Sequence, residues 1–212
     1  MMQPVSYQRH YPPRGGFSLI ELLVVIAIIA ILATMATSAF SSMQRSQSLS
    51  SAAQLFAGQL YLARQTAVAR NLPVEVRVYQ LPDFGLSVGS PTYWRAVRIF
   101  DGSGPDAKPI FRSVSFPARI IVASDSTASP LFQSMAQSSG PVPGFGSANW
   151  PYRSLIIRPN MRVTLGGAAP PNSNYFLSLR QENAPPVADG LPSNFATLQI
   201  NPFTARVVIL RP

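Results

Sequence analysis

The chain has no cysteine and a single histidine, and both absences limit its chemistry. Without cysteine there is no disulfide and no thiolate metal site, so the redox state of its compartment stays open. The lone histidine, His10, precedes the most apolar part of the chain. The downstream part therefore cannot form a Ser-His-Asp triad, a Cys-His pair or a histidine-ligated metal centre.

Charged residues are also scarce, at 12% of 212 residues, and acids are the scarcer kind. Asp and Glu number 8 against 17 Lys and Arg, which gives a formal net charge of +9. The acids are scattered, and no close pair among them indicates acid–base catalysis. We therefore expect no catalytic residue, no metal site, no cofactor and no enzymatic activity. The enzymatic alternative, a signal-anchored envelope enzyme, would need a polar cleft that the sequence does not indicate.

What the chain does contain is one uncharged segment near its start, from Leu22 to Gln44. As a helix this segment would measure roughly 34 Å, enough to cross the hydrocarbon core of a bilayer. We expect a transmembrane and assembly helix over residues 17–42. An ordinary cleaved signal peptide is the alternative, although Ala33-Thr34-Met35-Ala36 is a poor cleavage site for it.

The charges that flank this segment predict its orientation. Arg9 and Arg14 precede it without any acid, and Arg45 follows it. Cationic flanks stay on the cytoplasmic side, and the short N-terminal flank is easily retained there. We therefore expect a single-pass membrane protein with a cytoplasmic N-terminus and its globular domain on the opposite side of the membrane.

The junction before the apolar run carries the most specific signal. Gly16-Phe17-Ser18-Leu19-Ile20-Glu21, continued by apolar residues to Leu32, resembles the leader junction and first helix of type IV pilins and type II secretion pseudopilins. The resemblance implies that a prepilin peptidase cleaves between Gly16 and Phe17 and then N-methylates Phe17. Residues 1–16 would be a cytoplasmic leader that is removed, with Arg14 and Gly15 as recognition positions.

Glu21 is the one carboxylate in the apolar run, where a charge costs roughly 2.5–3.5 kcal/mol at mid-bilayer. After cleavage, the amine of Phe17 would be a cation four residues away. Glu21 could pair with this amine in its own chain or with the amine of a neighbouring subunit. The second pairing would neutralise both charges and fix the register between subunits. The alternative is that Glu21 only favours the positive end of the helix dipole.

The helix is expected to continue beyond the membrane. No proline occurs between Pro13 and Pro73. An apolar face repeats at spacings of three and four, and it consists of Leu49, Ala53, Phe56, Leu60, Ala63 and Ala67. Residues 43–72 should therefore form an amphipathic continuation that ends at Asn71-Leu72-Pro73. The stretch Leu60–Val76 is similar to the end of the first helix and the first strand in the GspH/FimT group of minor pilins, although a generic amphipathic helix end is the alternative.

Residues 73–212 are expected to form an antiparallel β domain. Val74, Val76 and Val78 alternate with polar residues, as in a half-buried strand. Further strands are predicted at Trp94–Phe100, Arg119–Ala123, Ser154–Arg158, Met161–Leu165, Tyr175–Gln181, Ala196–Ile200 and Ala205–Leu210. The last two should form a closing hairpin. The fold class is therefore α+β, with the long helix packed on an antiparallel sheet.

Three long connections interrupt the strands, at residues 124–151, 166–174 and 183–193, and are rich in Pro, Ser, Gly and Asn. The run Asp101–Asp106 could be imagined as a calcium loop, but it lacks the ligand spacing of an EF-hand and is better explained as a hairpin turn. Where the resembling group often carries Gly-Arg in its closing hairpin, this chain has Ala205-Arg206.

The resemblance and the composition together predict a structural subunit, a minor pilin or pseudopilin of a type IV pilus or type II secretion system. Its partners would be other subunits, the prepilin peptidase, the inner-membrane assembly platform and inner-membrane lipid. The alternative is a DNA-binding minor pilin that acts in DNA uptake through an Arg-rich surface. Arg206 and Arg211 are the candidate nucleic-acid contacts, because several arginines lie near aromatic residues that can stack on bases.

Overall fold

The computed structural model describes residues 16–82, 89–104, 106–142, 145, 148–166, 175–184 and 191–212, with residues 35–42 described by their backbone. Arg14 and Gly15, and with them nearly all of the predicted leader, lie outside the described residues. The chain divides into two compact units, Met1–Met43 and Gln44–Pro212. The predicted domain boundaries remain predictions.

The described part of the chain begins with one long helix, and nearly all of its later elements are strands. In chain order they are α1 (Leu19–Arg70), β1 (Val74–Leu81), β2 (Tyr93–Asp101), β3 (Lys108–Pro109), β4 (Val114–Ser115), β5 (Ile120–Val122), α2 (Pro130–Ser134), β6 (Ala136–Pro141), β7 (Asn149–Ile157), β8 (Val163–Leu165), β9 (Phe176–Gln181), β10 (Phe195–Ile200) and β11 (Val207–Leu210). The α+β class and each predicted strand are confirmed.

The part of α1 that belongs to the second unit buries the face that its spacing predicted. The side chains of Leu49, Ala53, Phe56, Leu60, Ala63 and Ala67 are all buried, together with Ala52. α1 ends directly before Asn71, whose φ of 53° is the left-handed conformation that closes helices. Phe56 packs edge-on against the ring of Phe116, with 5.7 Å between centroids. This helical face therefore lies in the main hydrophobic core.

The strands form two antiparallel sheets, where the sequence predicted one. Sheet A has the order β3-β2-β1-β7-β6, with β4 also on β2 and β8 on β7. Sheet B has the order β11-β10-β9-β5. β5 leaves its sequence neighbours and pairs with β9, so that Ile121 lies opposite Arg180. Alternating patterns identify strands but not such distant partners, which is why the second sheet was not predicted.

The connection predicted at residues 124–151 is wrong in part, because it contains α2 and β6. Pro130 is the first residue of α2, a position where proline fits. Leu131 and Phe132 follow it and are fully buried. The start of β7 also falls in this range and includes Pro151, a residue that cannot donate to a ladder. Pairing between β1 and β7 covers only residues 152–157 of β7, so the missing N–H of Pro151 removes no bond to β1.

The prediction that β1 is half-buried is also wrong. Its polar face is buried too, with Glu75 only 3% and Arg77 only 6% exposed. The turn between β2 and β3 covers this face, because the backbone N–H of Gly104 donates to Glu75 Oε2 (3.2 Å) and Arg77 Nη2 donates to the Gly104 carbonyl (2.8 Å). Asp101 lies opposite Lys108, so the hairpin predicted at this point of the chain is confirmed.

Candidate processing and assembly site

The predicted cleavage junction lies at the start of α1. The carbonyl of Ser18 accepts the N–H groups of Glu21 (3.0 Å) and Leu22 (3.1 Å), which makes Ser18 the N-cap of the helix. Gly16 and Phe17 precede the helix and are exposed, Phe17 to 81%. The bond between them is therefore open to solvent and lies outside regular structure.

Gly16 is not required by its surroundings. A Cβ built at this position would meet no atom within 4 Å, and its φ lies outside the range that favours glycine. No packing or backbone reason in the described part of the chain therefore explains a glycine here.

Glu21 lies in the first turn of α1 and is exposed. There its carboxylate favours the positive end of the helix dipole. Glu21 also follows Ser18 by three residues, the spacing of a capping box in which serine and glutamate satisfy each other's backbone N–H groups. This Ser-x-x-Glu pattern was visible in the sequence but was not used to predict the start of the helix.

Large apolar side chains cover the described part of the first unit. Between residues 17 and 32, twelve of them are exposed, from 44% at Val25 to 81% at Phe17 and Leu19. They are Phe17, Leu19, Ile20, Leu22, Leu23, Val24, Val25, Ile26, Ile28, Ile29, Ile31 and Leu32. Because they follow one another along the helix, they face all directions around its axis. Among the residues described with their side chains, no helix meets the length and apolarity needed to span a membrane.

The structure does not bring the two candidate nucleic-acid contacts together. Arg206 and Arg211 lie at opposite ends of β11, which at about 3.4 Å per residue separates their Cα atoms by roughly 17 Å. Arg206 is exposed. Arg211 instead binds α1 of its own chain, because Nη2 donates to the Ser46 carbonyl (3.2 Å) and Nη1 donates to Ser50 Oγ.

Two other arginines with aromatic neighbours in the sequence also serve the fold. Arg95 Nη2 donates to Glu182 Oε2 (3.0 Å) in a largely buried ion pair. Arg153 Nη1 donates to the carbonyls of Phe132 (3.0 Å) and Gln133 (2.9 Å) at the end of α2. Burial lowers the pKa of Arg153. These two side chains therefore have their partners within the chain. The guanidinium of Arg77 likewise pairs with Glu75.

One comparison with known proteins bears on the exposed junction and the apolar helix that follows it. Residues 12–37 match the sequence model of the prokaryotic N-terminal methylation motif. This motif indicates a type IV pilin-like or pseudopilin protein. Proteins with this motif are structural rather than catalytic, and the motif implies membrane-associated incorporation of the pilin-like chain into a pilus or pseudopilus, together with other pilin subunits. No curated protein and no solved structure matches the chain significantly.

Proposed function

We propose that the chain is a minor pilin or pseudopilin of the GspH/FimT kind, a structural subunit of a type IV pilus or type II secretion system. A prepilin peptidase removes residues 1–16 by cutting between Gly16 and Phe17 and then methylates the Phe17 amine. Arg14 and Gly15 contribute to recognition of the leader. The mature chain assembles through its N-terminal helix and has no catalytic activity of its own.

The observation that carries this proposal is the exposed apolar surface that directly follows the methylation motif. Fully burying one such side chain stabilises by roughly 1.5–3 kcal/mol, so covering the exposed half of twelve is worth on the order of 10–20 kcal/mol. This free-energy gain is too large for the apolar surface to remain exposed to water. Lipid covers it before assembly, and the helices of neighbouring subunits cover it afterwards.

For the orientation, we propose a single-pass arrangement in the inner membrane, with the N-terminus cytoplasmic and the β domain periplasmic. Arg9 and Arg14 before the apolar run support this orientation. In this position the chain meets the prepilin peptidase, inner-membrane lipid, the inner-membrane assembly platform and other subunits.

Within the fibre, Glu21 forms a salt bridge with the Phe17 amine of a neighbouring subunit. The amine remains a cation after methylation, and its partner must be an anion where water is scarce. The exposure of both residues in the single chain supports a contact between chains. Pairing of this kind sets the axial register of successive subunits.

Nucleic-acid binding through Arg206 and Arg211 is the alternative proposal. The exposure of Arg206 favours it, whereas the bonds from Arg211 to α1 give that side chain a role within the fold. DNA binding in a gel shift at near-physiological salt would support it if Arg206→Ala weakens the binding. Binding that both Arg206→Ala and Arg211→Ala leave unchanged would contradict it.

Mass spectrometry of the chain purified from membranes tests the main proposal. We expect a mature N-terminus at a methylated Phe17. We expect Gly16→Ala to leave the full leader attached in most molecules without changing the melting temperature, because the added Cβ meets open space. A wild-type chain that retains Met1, or that starts beyond Ala36, would contradict the proposal.

Gly58→Ala is the matched control. It adds the same methyl group, also to open space, at the other glycine of the described N-terminal region and helix. We expect full processing of this variant. Loss of processing in both variants would mean that the methyl group acts through the fold and not through recognition of the junction.

A further inference from the structure

Sheet A carries a groove of about 600 Å³ on the face that does not pack against α1. Val74, Val76 and Val78 of β1 point into the core shared with α1, so Glu75 and Arg77 point to the opposite face. The groove lies on that second face and is lined by residues of β1, β7 and β6.

The groove exists because β6 has only small side chains on this face. The register places Ala136 opposite Ser154 and Ser138 opposite Tyr152, and Gly140 follows on the same face. A Cβ at Gly140 would lie 3.4 Å from Cε1 of Tyr152. The missing side chain therefore leaves the edge of the Tyr152 ring uncovered, and larger residues at these three positions would fill the space.

Two buried polar side chains in the lining of the groove have unused hydrogen-bonding capacity. Glu75 is 3% exposed and Ser154 is 5% exposed. Both hydrogen bonds that the Glu75 carboxylate accepts reach Oε2, and Oε1 accepts none from the described residues. The Ser154 hydroxyl likewise forms no hydrogen bond within the described part of the chain. Since buried polar groups are nearly always hydrogen-bonded, these two atoms indicate a place for a polar ligand.

The charge of the groove is balanced. Arg77 Nη2 and Glu75 Oε2 pair at 2.8 Å, and no other charged residue of the described chain lines the groove. The remaining polar lining residues are uncharged, namely Ser103, Ser138, Ser139, Asn149, Tyr152 and Ser154. Although the chain has a net charge of +9, this site therefore offers no unpaired cation to an anionic ligand.

The lining is complementary to a molecule that carries hydroxyl groups. A serine hydroxyl both donates and accepts hydrogen bonds, whereas the free oxygen of Glu75 only accepts them. Ile156, Ala136 and the Tyr152 ring supply apolar surface between these polar groups. Several hydroxyl groups on a compact C–H framework are the chemistry of a saccharide. The volume of the groove also lies in the range of small-ligand sites, about 300–1,000 Å³.

We propose that this groove binds an uncharged saccharide. One hydroxyl of the sugar donates to Glu75 Oε1, another bonds to the Ser154 hydroxyl, and the C–H face of the ring lies against the edge of Tyr152. This binding activity goes beyond the proposed function as a structural subunit. It does not depend on cleavage of the leader or on assembly of a fibre.

The test uses the full chain, solubilised in a zwitterionic detergent because maltoside detergents contain sugar themselves. It is applied to an array of neutral oligosaccharides, the same oligosaccharides carrying sulfate or sialic acid, single-stranded DNA and uncharged peptides. We expect at least one neutral oligosaccharide to bind. Its affinity should not change with salt concentration, because no charge is neutralised in the complex.

Two substitutions connect binding to the groove. Ser154→Ala removes one hydroxyl, and we expect it to weaken binding roughly three- to tenfold, the value of one hydrogen bond. Ser138→Trp replaces an exposed residue and fills the groove, so it should weaken binding by about tenfold or more. Both variants should melt at the wild-type temperature, because neither hydroxyl has a partner in the described part of the chain.

Each substitution has a matched control. Ser115→Ala removes a hydroxyl from an exposed serine of β4, and Gln137→Trp adds the same indole to the other face of β6. Neither residue lines the groove. Both variants should bind the saccharide as the wild type does. Equal losses in a variant and its control would overturn the assignment to this groove.

Three further outcomes would also overturn the inference. The first is that no neutral oligosaccharide binds, or that Ser154→Ala and Ser138→Trp both leave its binding unchanged. The second is binding confined to acidic oligosaccharides or DNA, which would reflect the net charge of the chain. The third is capture of peptides without saccharides. The mature N-terminus is measured separately, so a chain that keeps its leader contradicts the proposed function and leaves the saccharide result intact.

Discussion

At the scale of single residues, Arg77 explains how a charge is held inside the β domain. Its guanidinium lies between the rings of Phe100 and Tyr152, at 4.0 and 4.4 Å from their centroids. Burial lowers the pKa of Arg77, but the hydrogen bond and the charge of Glu75 oppose that effect, and the pKa ends above its ordinary value. The raised pKa therefore favours the charged form of the Arg77 guanidinium.

Tyr79, next to this pair, gives a prediction on alkaline stability. Burial raises the pKa of Tyr79, and the nearby Arg77 guanidinium opposes this effect only in part. A raised folded-state pKa contributes stability below the unfolded pKa of about 10 and loses it as pH rises through the folded pKa. We expect Tyr79→Phe to leave the free energy of unfolding within about 1 kcal/mol at pH 8 and to weaken its decline above pH 10.

Urea unfolding of the detergent-solubilised chain at pH 8 and pH 11 checks this prediction. Tyr61→Phe is the matched control, because Tyr61 is 56% exposed on the surface of α1. It should leave the alkaline decline unchanged. A decline equally steep in the wild type and in Tyr79→Phe would show that the burial of Tyr79 is not its cause.

At the scale of elements, the end of the chain is tied to α1 through Arg211 and its bonds to Ser46 and Ser50. The net loss of one or two such hydrogen bonds is on the order of 1–2 kcal/mol, which corresponds to roughly a 5- to 30-fold change in local opening. We expect Arg211→Ala to speed amide hydrogen exchange by this factor around residues 46–54. Hydrogen–deuterium exchange with mass spectrometry measures it.

Arg206→Ala provides the comparison for this experiment, since it removes an equal charge from the other end of β11. The Arg206 side chain is exposed and has no hydrogen-bond partner in the part of the chain that the structure describes. Its removal should not change exchange in α1. Equal effects of the two substitutions would mean that net charge, and not the bonds of Arg211, controls opening.

The elements also show which parts of the fold can be predicted from sequence patterns. The apolar face of α1 and the strands with alternating or apolar residues were predicted, because local spacing alone identifies them. β6 was not, because Ser-Ser-Gly has no strand preference and pairing with β7 imposes its conformation. Ala205 was noted only as a departure from Gly-Arg. The structure supplies the physical meaning, since its φ of 49° is a conformation that favours glycine.

Some features of the candidate site could likewise be predicted from the sequence, and others could not. The motif around Gly16, Phe17 and Glu21 was predictable, because its residues are contiguous. The separation of Arg206 from Arg211 was not, because it depends on the length and direction of β11. A groove of about 600 Å³ on one face of sheet A is lined by residues of β1, β6 and β7. It depends on the register of these three strands, which no local pattern encodes.

At the scale of the whole molecule, the role of Glu21 can be separated into pairing and capping. Glutamine replaces glutamate in a capping box but carries no charge. If Glu21 pairs with a neighbouring amine, Glu21→Gln and Glu21→Ala should both lower incorporation at least tenfold. Removing one partner of a buried pair costs about 3–5 kcal/mol. The measurement is the amount of processed chain that sediments with the fibre.

Ser18→Ala is the complementary control, because it removes the hydroxyl that a capping box would use and keeps the carboxylate. We expect its processed form to be incorporated nearly as well as the wild type. Normal incorporation of Glu21→Gln, with loss only in Glu21→Ala and Ser18→Ala, would assign Glu21 to helix capping and remove the pairing hypothesis.

The bare apolar helix at the start of the chain has a consequence for the life of the subunit in the cell. Chaperones and proteases recognise damaged proteins by exposed apolar surface of the same kind. A copy that leaves the bilayer without entering a fibre would present that signal although its β domain is intact. Its abundance should therefore follow the supply of assembly sites more closely than its rate of synthesis, and surplus copies should be degraded.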